Sequence, residues 1–139
     1  MIFLLANTLF LILSLGYAWL VGSRLDRQAV VWIVAALAGT LVAGIFAAPG
    51  RATPIVLAVD TVLLAAITVI ALRSERYWPT WFAGFHLAAV GFGIAALALP
   101  QVGVLRVFSG FWGVPALIVM VFGLLLDRRA EAAAARAPT

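Results

Sequence analysis

The sequence predicts an all-α, polytopic transmembrane helical bundle of about five spans, with its N-terminus outside and its C-terminus in the cytoplasm. Two observations lead there. Of 139 residues, 66% are hydrophobic and 10% are charged, whereas a soluble domain is nearer half apolar and a quarter charged. The apolar residues also fall in uninterrupted runs, each about as long as the ~20 residues that cross a ~30 Å hydrocarbon core as a helix.

Charges and prolines punctuate these runs. The first charge is Arg24, so residues 2–21 form a first span. This segment has a long apolar core and no basic n-region, so it reads as a span and not as a signal peptide. No charge lies between Arg27 and Arg51, which gives a second span at 29–48. A third occupies 55–72 and carries one acid, Asp60. Pro79 and Pro100 bracket a fourth at 80–99, and 107–126 is the fifth. Helices are the expected form, because lipid offers no partner to an unpaired backbone group. Residues 1–126 thus make one transmembrane domain. Residues 127–139 make a short Ala- and Arg-rich cytoplasmic tail that can extend the last helix. Pro115, after Gly110 and Gly113, predicts a kink in the fifth span.

Arginine sets the orientation. With the N-terminus outside, the inner segments hold Arg24, Arg27, Arg73, Arg76, Arg128, Arg129 and Arg136, and the outer segments hold Arg51 and Arg106. Tyr17, Trp19, Trp32, Tyr77, Trp78 and Trp81 then fall near the inner interface, where amphipathic rings anchor helices.

Composition excludes several chemistries. There is no Cys, hence no disulfide, thiol nucleophile or Cys-ligated metal. All nine basic residues are Arg, which removes Schiff-base chemistry and a P-loop lysine. His86 is the sole histidine, so one chain cannot supply several imidazoles to a metal or two to a haem. No metal site and no cofactor are expected; axial ligation of a haem or similar pigment by His86 is the alternative. The net charge of +4 reads as topology signal and not as a nucleic-acid footprint.

Four intramembrane polar candidates remain: Asp60, His86, Arg106 and Asn7. A carboxylate in mid-span costs ~2.5–3.5 kcal/mol on insertion scales, so Asp60 is the sharpest anomaly. It reads as a structural hydrogen-bonding residue, as a proton- or substrate-binding acid, or as a shallower group that meets water. By depth its best partner is Arg106, whose long side chain can snorkel inward. His86 should lie ~9 Å below Asp60 along the membrane normal, so a direct bond between them requires a tilt or a register shift. Small residues at spacing four (Ala35, Gly39, Ala43, Ala47) and the pairs Gly84/Ala88 and Ala89/Gly93 suit close helix packing.

The most distinctive stretch is the loop around residues 73–81. Arg73 and Arg76 can hold anionic headgroups, while Tyr77, Trp78 and Trp81 anchor the turn, so these five read as a docking surface for lipid or a partner. Residues 73–87, Arg-Ser-Glu-Arg-Tyr-Trp-Pro-Thr-Trp-Phe-Ala-Gly-Phe-His-Leu, resemble a signature in small multi-spanning inner-membrane proteins of alphaproteobacteria. The likeness is strongest from Asp60 to about Val90. That family has no assigned activity or cofactor, so the resemblance implies an inner-membrane location and no catalytic residues.

The expected function is a non-enzymatic accessory or structural subunit of a membrane complex, or a homo-oligomer. A small proton-coupled transporter or channel using Asp60 is the alternative. The expected partners are other membrane subunits or further copies of the chain, together with anionic lipid on the cytoplasmic side, and no nucleic acid.

Overall fold

The structure, a computed structural model, describes residues 2–48 and 51–136; side chains at 2–6, 106–107 and 109–110 lie outside the described set. It is all-α. Among the described residues six helices follow in order: α1 Ile2–Val21, α2 Arg24–Phe46, α3 Ala52–Arg73, α4 Trp78–Ala98, α5 Val104–Phe111 and α6 Gly113–Ala134. Among the described residues, α2, α3 and α4 are each long and apolar enough to cross a membrane.

Short connections make successive long helices antiparallel. Helix α1 packs on α2 and α6, α2 on α3, α3 on α4, and α4 on α6. These five close a ring, and α5 lies against α4 and α6. One end of the ring gathers the last turn of α1, the first turns of α2 and α4, and the last turns of α3 and α6. We call this the charged end, because Arg24, Arg27, Arg73, Arg76, Arg128 and Arg129 lie there.

The continuous core sits in the half of the ring nearest that end. Ala18, Ala29, Ile67, Trp78, Phe82, Met120 and Leu124 fill it from five helices. Toward the opposite end the buried apolar residues thin to Ala43, Ala89, Val90 and Ala96 among those described. The seam of α3 with α4 runs from the core into this half.

Two boundaries differ from those expected. Helix α2 starts at Arg24 and not near residue 29, because a capping box starts it early. Asp26 N–H donates to Ser23 Oγ at 3.3 Å, and Ser23 N–H donates back to Asp26 Oδ2 at 2.6 Å. The expected kinked fifth span is two helices, α5 and α6, broken at Trp112. Pro115 falls in the first turn of α6, where the missing N–H has no intrahelical acceptor to lose. The chain therefore breaks before the proline and does not kink at it. The last helix runs into the Ala-rich tail as far as Ala134.

Candidate functional site

Asp60 opens into a cleft between α3 and α4. Val56 and Leu57 on α3, and Ala89 and Gly93 on α4, line about 260 Å³ of space beside the carboxylate. The approach is close because Gly93 lacks a side chain; a Cβ there would stand 3.0 Å from Leu57 Cδ1. The Asp60 side chain stays 31% exposed, on a helix that carries no other charge before Arg73. Thr53, seven residues earlier on α3, brings a hydroxyl to the same cleft.

The expected ~9 Å gap between Asp60 and His86 is not observed. His86 Nε2 lies 3.1 Å from the Asp60 carbonyl oxygen and 4.0 Å from its Oδ1. The antiparallel geometry explains the choice of atom. Helix carbonyls point toward the C-terminus and side chains lean toward the N-terminus, so on α3 the Asp60 carbonyl faces the charged end and its carboxylate faces away. His86, set nearer the charged end, meets the carbonyl first. In the tautomer with its proton on Nε2, the ring donates to that carbonyl, whose second lone pair is free for it. Phe82, one turn earlier, places its ring 6.2 Å from the imidazole on the core side.

The helices that carry the other two polar candidates do not pack on α3. Asn7 is exposed on α1, a helix that packs on α2 and α6 and not on α3. The Arg106 side chain lies outside the described residues, and its helix α5 packs on α4 and α6. Neither α1 nor α5 meets α3 among the described contacts, and the expected pairing of Arg106 with Asp60 lies outside the described residues.

The loop candidates divide. Trp78 is 1% exposed and does not face lipid or a partner. Its indole Nε1 donates to Asp26 Oδ1 at 2.9 Å, and its ring meets Phe82 edge-on at 6.1 Å. Arg76 is likewise turned inward. Its Nη1 donates to Asp26 Oδ2 at 3.0 Å, Nε faces Asp127 Oδ2 at 3.4 Å, and Nη2 donates to Glu131 Oε1 at 3.2 Å. Docking through Arg76 and Trp78 is thus corrected to an internal knot that ties the α3–α4 turn to α2 and α6. Three acids outcompete a tryptophan face for the guanidinium. Arg73 and Tyr77 remain exposed, and Trp81 is 62% exposed.

Asp26 is the residue the sequence reading missed. It carries a formal charge in a segment that looks like a loop, yet it is 1% exposed. The signal was present: Ser at one position and an acid three residues on is the spacing of a capping box. Burial of the carboxylate is sustained by three donors, Ser23 N, Trp78 Nε1 and Arg76 Nη1.

On the far side of α4, Trp112 stacks on Phe85 at 6.0 Å and on Phe92 at 6.1 Å, and Phe92 stacks on Phe108 at 5.5 Å. This aromatic cluster seats α5. Among the described residues no group of three or more His, Asp or Glu side chains is placed to hold a metal ion. No protein-family model, curated protein or solved structure matches the chain.

Proposed function

We propose that this protein is a non-catalytic integral membrane subunit that joins a partner, either another membrane chain or a second copy of itself, through the Asp60 cleft. The observation that carries the reading is the half-open carboxylate on the α3–α4 seam, with one imidazole at 4.0 Å and no closer cation among the described residues. Acids at this depth face a bundle interior or a cavity and pair with a donor. A neighbouring helix that offers a hydroxyl, amide or guanidinium would complete the set of partners Asp60 has begun.

The reading includes five membrane crossings with the C-terminus in the cytoplasm of a bacterial inner membrane. Support comes from the gathering of six arginines at one end of the ring against Arg51 and Arg106 in the segments at the other, the asymmetry that cytoplasmic loops show. The resemblance of residues 73–87 to inner-membrane proteins points the same way.

A second reading is favoured by one feature: Asp60, His86 and Thr53 bring three proton-exchanging groups to one seam. In that reading the cleft is part of a proton path.

Native mass spectrometry of protein extracted from its own membrane tests the first reading. A partner or second copy is expected on the wild type, with at least a tenfold loss of complex in Asp60→Leu. A wild-type protein that is wholly monomeric would overturn it. Proton flux into liposomes, compared between wild type and Asp60→Asn, tests the second.

A further inference from the structure

We propose that the lipid-facing side of α2 between Arg24 and Gly39 binds one anionic phospholipid, its phosphate on Arg24 and Arg27 and an acyl chain in the groove between α2 and α3. Two separate features meet on this face. Near the charged end, Arg24, Arg27 and Gln28 surround a pocket of about 390 Å³ with Trp19 and Trp32 at its sides. Further along, Trp32, Ala35, Ala36 and Gly39 face Ala58 and Val59 across an almost wholly apolar groove of about 320 Å³. Trp32 belongs to both, so the pocket and the groove are consecutive along one helix face.

Charge selects the occupant. Arg24 makes no ion pair among the described residues, and Arg27 is fixed by donation from Nε to the Trp19 carbonyl at 3.1 Å. The acid of this turn, Asp26, points the other way, into the knot with Arg76. The outward face is therefore purely cationic. Basic groups at this depth gain about 1 kcal/mol each from anionic lipid, and exposed tryptophans favour the headgroup level.

Length selects it too. Arg24 and Gly39 are ~22 Å apart at helical rise. Half of a bilayer including its headgroups is about 20–22 Å, so one lipid spans the face from phosphate to chain end. The groove is shallow because Ala35, Ala36 and Ala58 are small. It is floored where Gly39 lets α3 approach, a Cβ there standing 3.3 Å from Val59 Cγ2.

Native mass spectrometry of the detergent-purified protein, titrated with phosphatidylglycerol and with phosphatidylcholine of the same acyl chains, decides it. The wild type is expected to take its first phosphatidylglycerol at least tenfold more tightly than phosphatidylcholine. The pair Arg24→Gln with Arg27→Gln should erase that preference, and Arg24→Gln alone should lower it part of the way. Ala35→Phe, an exposed position that fills the groove, should weaken the first phosphatidylglycerol about tenfold with both arginines intact. Arg129→Gln, on the exposed face of α6, should leave the preference unchanged. Equal affinity for the two lipids in the wild type would overturn the site. So would a preference that survives loss of both arginines, one that Ala35→Phe does not touch, or one that Arg129→Gln removes equally.

Discussion

Asp26 Oδ2 and Arg76 Nη1 meet at 3.0 Å across fifty residues of sequence, and the two side chains are 1% and 21% exposed. Arg76 also reaches Asp127, which is 31% exposed, and Glu131, which is 62% exposed. One guanidinium thus faces three carboxylates in three degrees of hydration. Coulomb attraction strengthens as water is removed, and so does the cost of leaving a partner alone. The three pairs should therefore differ in weight by their burial and not by their distances, which are nearly equal.

Asp26→Ala strands Arg76 and the Trp78 N–H, and Arg76→Ala strands the most buried carboxylate in the protein. Each should lower stability by about 3–5 kcal/mol, the usual cost of removing one member of a buried pair. Thermal unfolding in detergent micelles reads this directly. The double variant should lose much less than the sum of the singles, since both remove one interaction. Strict additivity would mean that the pair is not energetically coupled.

Glu131→Gln should behave differently. Its carboxylate is mostly hydrated, and exposed pairs contribute roughly 0–1 kcal/mol. The small loss should vanish in ~1 M salt, where the Debye length is about 3 Å, while the Asp26 effect should persist. A salt series on both variants separates the two.

Gly123 on α6 sits under Trp78: a Cβ at that position would lie 2.5 Å from the Trp78 Cβ. Trp78 cannot retreat, because its indole is bonded to Asp26. Gly123→Ala should therefore cost about 1–3 kcal/mol as overpacking. Trp78→Phe should cost a similar amount for a different reason, the loss of a donor to a buried carboxylate, at about 1–3 kcal/mol. Unfolding midpoints of the two variants, and of their combination, check both.

The helical runs were legible because lipid demands length and apolarity, and those are local properties of sequence. Asp60 and His86 were legible as anomalies for the same reason. Their adjacency was not, because it depends on how the 74–77 turn levels α3 against α4 and on which atoms each helix directs at the other. Trp78 shows the limit of composition most clearly. A tryptophan beside an arginine at a helix start has the same local signature whether it faces headgroups or Asp26. Only the position of α2, fifty residues away in sequence, decides between them. The break at Trp112 was hidden in a related way: Pro115 announces an irregularity, but a kink and a first-turn proline share one sequence.

Asp60 offers a prediction whose sign depends on what is measured. Replacing it with Leu removes a mid-span carboxylate that costs ~2.5–3.5 kcal/mol on insertion scales. It also leaves intact the His86 bond, which goes to the backbone carbonyl. The isolated Asp60→Leu chain should therefore insert and resist heat at least as well as the wild type. His86→Leu, which does remove that bond, should cost only about 0.6 kcal/mol, typical of an interhelical hydrogen bond in a membrane. Association should move the other way: Asp60→Leu should lose its partner, and His86→Leu should keep it. Unfolding in detergent and complex yield from the native membrane, measured on the same two variants, give four values. A destabilised Asp60→Leu monomer would identify the carboxylate as a structural member of the bundle and take it out of the docking cleft.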